Sequence, residues 1–155
     1  MGQKMQKRIL IIEDELTLCQ MLRRYFEARG YSVRILTSAQ DIDAVKREIF
    51  NKDGSYAADA ILSDVTMPGI TGIELVRVLS NENVALPPCA LMSGNWTVDD
   101  LLVAQNLGCS IFKKPFSLAD VCEWLLRGGR QKCEVTPVQS PSFNLQNVLQ
   151  PPVRS

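Results

Sequence analysis

The sequence predicts an α/β fold, a doubly wound five-stranded parallel sheet with five helices distributed over both of its faces. Three observations lead there. Short apolar runs of strand length alternate five times with amphipathic stretches of helical period. Consecutive runs are separated by crossovers that parallel strands require, and right-handed crossovers place helices against a common sheet. The chain, 155 residues with 46% apolar and 22% charged, is long enough to bury one full core and has the composition of a soluble globular protein.

Each element has its own signal. RILII (8–12) reads as the first strand, followed by a helix with Leu18, Leu22 and Phe26 on one stripe, ending at Gly30. YSVRIL (31–36) is the second strand and leads to a helix carrying Ile42, Val45 and Ile49. AILS (60–63) is the third, and Pro68-Gly69 carries the chain into a helix over GIELVRVL (72–79). CALM (89–92) precedes a helix near VDDLLVAQN (98–106), with Thr97 and Asp100 spaced as a capping box. SIFK (110–113) is the fifth strand. The last helix opens at Ser117, with Asp120 three residues on, buries a stripe of Leu118, Val121, Cys122 and Leu125, leaves Trp124 on its flank, and stops at Gly128-Gly129.

One domain over residues 1–130 is expected, and a tail, 131–155, that breaks with it. Pro137, Pro141, Pro151 and Pro152 interrupt this segment, whose length falls below the roughly 40 residues needed to fold alone. It reads as a disordered tail or interdomain linker; the other reading is a docking segment built on Phe143, Leu145, Val148 and Leu149.

Composition removes several functions. Lys and Arg total 17 against 17 Asp and Glu, so no positive field draws the chain to nucleic acid or an anionic membrane. The start MGQKMQKR lacks an apolar signal core, Gln6 stands where myristoylation wants Ser or Thr, and no apolar stretch approaches a membrane span. A cytoplasmic location is expected. The five cysteines are odd in number, none in CxxC spacing, and read as core or surface thiols. The absence of histidine excludes Ser-His-Asp and Cys-His catalysis and HExxH zinc sites.

In doubly wound sheets the ligand crevice lies at the carboxyl ends of the strands. Strand one ends in Glu13-Asp14, strand three in Asp64, strand four in Ser93, and strand five in Lys113-Lys114 before Pro115. Any one of these reads as a turn former, cap or solvated charge; together they converge on one edge. Three clustered carboxylates suit a hard cation such as Mg²⁺, and lysine suits a phosphoryl oxygen. With that charge neutralised, a carboxylate is a competent nucleophile toward phosphorus. Asp64 is the central candidate.

The segments IEDE (12–15), SDVTMPG (63–69), LMSG (91–94) and FKKPF (112–116) resemble, in order, the motifs of the CheY-like response-regulator receiver domain of two-component signalling, over residues 8 to 127. The resemblance implies a flavodoxin-like three-layer sandwich with strand order 2-1-3-4-5. It implies that Asp64 accepts a phosphoryl group from the phosphohistidine of a sensor histidine kinase or phosphotransfer protein, or from a small phosphodonor. Mg²⁺ would be held by Asp14, Asp64 and the Thr66 carbonyl, with Glu13 acting through water. Ser93 would sense the phosphoryl group, Lys114 would pair with it, and Lys114-Pro115 would be cis, against about 5–6% of X-Pro bonds. The resemblance also implies that Thr66 and Asn95 would modulate the reaction. The face of helix four, strand five and helix five would meet a protein target or a second copy.

Two positions depart from the family pattern. Glu13 replaces the commoner Asp, and Ile111 stands where the family usually has a switching Tyr or Phe. Strand alternation puts the neighbouring Phe112 on the opposite face. Two other functions compete: a receiver-like scaffold that is never phosphorylated, and a haloacid-dehalogenase-type phosphatase. The latter needs a second acid two residues after its nucleophile, where this chain has Thr66.

Overall fold

The computed structural model describes residues 5–82 and 84–130; the expectations for the segment from Gln131 onward lie outside the described residues. The element order is β1 (Arg8–Ile12), α1 (Leu16–Glu27), β2 (Ser32–Leu36), α2 (Ile42–Ile49), β3 (Ala60–Asp64), α3 (Gly72–Ser80), β4 (Cys89–Ser93), α4 (Val98–Asn106), β5 (Ser110–Lys113) and α5 (Leu118–Leu126). The strands form one sheet in the order β2-β1-β3-β4-β5, and every pairing is parallel. The expected strand order and layering are those observed.

The two-residue alternation of β1 divides the core. Leu10 and Ile12 point to one face with Ile61 and Leu91, where Val45 and Ile49 of α2, Val76 and Leu79 of α3 and Ala104 of α4 cover them. Ile9 and Ile11 point to the other with Leu62, Ala90 and Met92, beneath Leu22 and Phe26 of α1 and Val121, Trp124 and Leu125 of α5. Each fully buried Val, Leu, Ile, Met or Phe among them contributes roughly 1.5–3 kcal/mol.

Helix starts follow local chemistry. Thr71 and Glu74 form a complete capping box at α3, and Asp41 Oδ1 accepts the Ala44 N–H at 3.0 Å at α2. At α4 the Thr97 side of the expected box is present, its Oγ1 accepting the Asp100 N–H at 3.1 Å. Gly30 closes the turn after α1 with φ +84°, and Gly128 and Gly129 follow α5 with positive φ as expected.

β3 and β4 end on Asp64 and Ser93, as their place at the strand ends leads one to expect; each runs one residue beyond its apolar stretch because the ladder continues through the pairs Asp64↔Met92 and Ser93↔Lys113. Backbone pairing is indifferent to side-chain polarity, which hydropathy reads. Trp124 is not on the flank of α5: it is 4% exposed, donates from Nε1 to Ser110 Oγ at 2.8 Å, and meets Phe112 edge-on at 6.1 Å. Positions 121, 124 and 125 share one face at i, i+3, i+4 spacing, so the apolar stripe is wider than four residues suggested. Among the described residues, no helix is long and apolar enough to cross a membrane.

Candidate functional site

β1 is flanked by β2 on one side and β3 on the other, so the chain leaves the carboxyl ends of neighbouring strands in opposite directions and opens a crevice there. β1 delivers Glu13 and Asp14 to it, β3 delivers Asp64, β4 delivers Ser93, and the segment after β5 delivers Lys114. The side chains convergent from sequence are convergent in space.

Lys114 Nζ donates to Glu13 Oε2 at 2.8 Å and lies 3.3 Å from Asp64 Oδ1. Glu13 is fully buried and Asp64 nearly so, at 0% and 5% exposure, whereas Asp14 opens to solvent. The second Glu13 oxygen accepts the Glu15 N–H at 3.1 Å, so this buried carboxylate is hydrogen-bonded through both oxygens. Burial still pushes its pKa above the ordinary value, with Asp64 adding repulsion, and the hydrogen bonds from Lys114 and Glu15 only partly oppose this. For Lys114 the balance is reversed. Burial acts to lower its pKa, but the hydrogen bonds and charges of Glu13 and Asp64 outweigh that and hold it above its ordinary value.

Backbone contacts fix the rest. Lys114 N–H donates to Ser93 O at 2.8 Å and Val65 N–H to Met92 O at 2.8 Å, tying the loops after β3, β4 and β5 together. Ser93 is 2% exposed and its Oγ accepts the Asn95 N–H at 3.1 Å, which leaves its hydroxyl proton available. The Lys114-Pro115 bond is cis. Thr66 and Asn95 are exposed on the rim. Ile111 packs with the α2–α4 side of the core and Phe112 with the α1–α5 side, so the two occupy opposite faces as alternation requires.

Glu13, Asp14 and Asp64 each offer one carboxylate oxygen, all within 4.8 Å of one another. An all-oxygen, partly buried set of this kind fits a hard divalent cation, with Asp14 open to the solvent that completes its shell. The residues present therefore fit Mg²⁺.

One supporting residue, Gly72, and the long-range contact of Trp96, which the sequence places only in the loop after Ser93, escaped the sequence reading. A Cβ at Gly72, the first residue of α3, would run into the Asp64 carbonyl and stand 3.0 Å from Ser63 Oγ, which itself donates to that carbonyl at 3.0 Å. A glycine at the start of a capped helix was the available signal. Trp96 is half-buried against the α2–α4 side of the core, and its Nε1 donates to Phe112 O at 3.2 Å. No local pattern announces that long-range contact.

The model of the response regulator receiver domain family matches residues 9–125. The chain belongs to this family. Response regulator MprA of Mycolicibacterium vanbaalenii is 31% identical over 118 residues, covering 76% of this chain and 48% of that protein. The C4-dicarboxylate transport transcriptional regulatory protein DctD of Pseudomonas aeruginosa is 31% identical over 112 residues, 72% of this chain and 22% of that one. The chain thus spans less than half the length of either relative. Among solved structures, a two-component response regulator from Clostridium difficile superimposes with a TM-score of 0.67 at 24% identity, covering 81% of this chain and all of that one. The response regulator receiver protein from Pseudomonas putida does so at 0.69 and 17%, covering 81% and 99%. At these identities the structural likeness speaks for the fold alone. The receiver reading from four short motifs is borne out by the family match and the fold.

Proposed function

We propose that this receiver domain accepts a phosphoryl group on Asp64 from a phosphohistidine donor, in a reaction that needs Mg²⁺, and that the acquired charge alters a protein-binding face. The observation that carries the reading is the placement of a buried Asp64 carboxylate 3.3 Å from the Lys114 ammonium, inside a carboxylate set that fits a divalent cation.

An Asp64 oxygen attacks phosphorus while the bond from the donor imidazole nitrogen breaks, and that nitrogen leaves with the electron pair. Mg²⁺, when bound by Asp14, Asp64 and the Thr66 carbonyl with Glu13 nearby, supplies the positive charge that offsets repulsion between carboxylate and phosphoryl oxygens. Lys114 stays cationic, as its raised pKa favours, and is placed to move from Asp64 to a phosphoryl oxygen. The Ser93 hydroxyl proton is free to donate to another. From a buried position Glu13 accepts from the Lys114 ammonium and holds it beside Asp64. An apolar groove of about 370 Å³, lined by Leu18, Met21, Phe116 and Leu118 beside Lys114, supports docking of a histidine kinase or phosphotransfer protein. Val98 and Leu102 of α4, 72% and 54% exposed, support an apolar contact for a downstream protein or a second copy on the α4–β5–α5 face. A cytoplasmic setting belongs to this reading.

Intact mass after incubation with Mg²⁺ and acetyl phosphate tests the proposal. One labile phosphoryl adduct is expected, lost in Asp64→Ala and in excess EDTA. An adduct that survives Asp64→Ala, or forms undiminished in EDTA, refutes it. A scaffold would acquire no adduct, and a phosphatase would release phosphate catalytically from esters. The exposed Thr66, in place of a second acid, speaks against the latter.

A further inference from the structure

Cys89 opens β4 and Cys109 immediately precedes β5. The register pairs Ala90 with Ser110, and continuing it back one residue sets Cys109 beside Cys89. Both belong to the same face of the core, 8% and 4% exposed, and each shifts the other's pKa. Neighbouring strands lie about 4.8 Å apart, inside the roughly 4.4–6.8 Å Cα separation that a disulfide spans. A groove of about 430 Å³ lined by Pro88, Cys89, Leu107, Gly108 and Gly129 opens from solvent onto Cys89, at the end of the sheet opposite Asp64. Two thiols at neighbouring strand positions on one face, one of them lining a groove, make a modification site that phosphoryl chemistry does not use.

We propose that Cys89 and Cys109 are oxidised by hydrogen peroxide to an intramolecular disulfide that is reversed by thiols. One sulfur of the pair attacks a peroxide oxygen and the O–O bond breaks, giving a sulfenic acid and one water. The other sulfur then attacks the oxidised one, the S–O bond breaks, and the expelled hydroxide takes the second thiol's proton to leave as a second water. Two thiols lose two electrons and one peroxide gains them. The neighbouring thiols hold the Cys109 pKa below and the Cys89 pKa well above the ordinary value, so one of the pair is the readier thiolate while the other lines the groove. The bridge closes a covalent loop from residue 89 to residue 109, which contains Ser93, Trp96 and all of α4. Oxidation therefore tethers both ends of the segment that carries the phosphoryl-sensing serine.

The folded full chain is treated with hydrogen peroxide, denatured, alkylated and mapped without reduction. The expected result is a peptide containing Cys89 linked to one containing Cys109, an intact mass lower by two hydrogens, and reversal by dithiothreitol. The link should be lost in Cys109→Ser and retained when Cys19, Cys122 and Cys133 are all replaced by Ser. Free, alkylatable Cys89 and Cys109 after treatment, oxidation that stops at a sulfinic acid, or a link to any other cysteine overturns the proposal. The wild-type map decides the matter by itself if a cysteine variant does not fold.

Discussion

Replacing Lys114 with Met keeps an unbranched stem and removes the charge that joins Glu13 to Asp64. At an effective dielectric near 20, contacts of 2.8 and 3.3 Å correspond to gross attractions of about 6 and about 5 kcal/mol. The dehydration of three charged groups offsets most of this. Removing one partner of a buried pair destabilises by about 3–5 kcal/mol, because the remaining charge is left uncompensated. The side chains involved are 23%, 0% and 7% exposed, so solvent screening relieves little. Glu13 can relieve part of the penalty by binding a proton, which places the expected loss at the low end, about 3 kcal/mol at neutral pH, or about 2 M in urea midpoint for a slope near 1.5 kcal/mol/M. The pH dependence carries the sign. The folded-state pKa of Glu13 is raised above 4.5, so its contribution is fully present below that unfolded value and is lost as pH rises through the folded value. Without Lys114 the folded value climbs further, and the recovery on acidification begins at a higher pH. At the alkaline end, wild type should lose the Lys114 contribution as pH rises through its folded value, above 10.5, and the variant should not. Urea titrations across this range, with Mg²⁺ chelated, provide the measurement. A variant as stable as wild type at neutral pH, or one whose deficit does not shrink on acidification, would refute the reasoning. In the variant, Mg²⁺ should raise the melting temperature more than in wild type, since the cation then enters a site with no competing ammonium.

Gly72→Ala should destabilise the fold by about 2 kcal/mol or more and slow acetyl-phosphate labelling, because its methyl meets the Asp64 carbonyl rather than a yielding side chain; wild-type denaturation and labelling would reject the contact. Trp124→Phe, which leaves the Ser110 hydroxyl without its indole partner, should cost about 1–3 kcal/mol in urea unfolding, and an unchanged midpoint would contradict that hydrogen bond. In that background Trp96 fluorescence should respond to beryllofluoride with Mg²⁺, since its indole bridges the loop after Ser93 to β5, and Ser93→Ala should abolish the response. Absence of any spectral change, with binding verified separately by fluorine resonance, would sink the coupling.

The elements were legible because their causes are local. Periodicity of Leu18, Leu22 and Phe26 marks a helix face, RILII marks a strand, and Gly30 and Gly128-Gly129 mark stops. Five alternations then leave few arrangements for a parallel sheet, and that sheet gathers Glu13, Asp14, Asp64, Ser93 and Lys114 at one edge. What sequence by itself determined is thus the class of fold and which residues share the crevice. Tertiary structure decided what each charge faces. Pattern reading gives no sign that Glu13 is wholly buried while Asp14 is exposed, or that Lys114 spans two carboxylates. It likewise left Trp124 on a flank, where the sheet and Ser110 in fact enclose it. Burial and pairing across strands depend on distances between residues a hundred positions apart, and the energies that shift a pKa or seat an indole arise only when those residues meet.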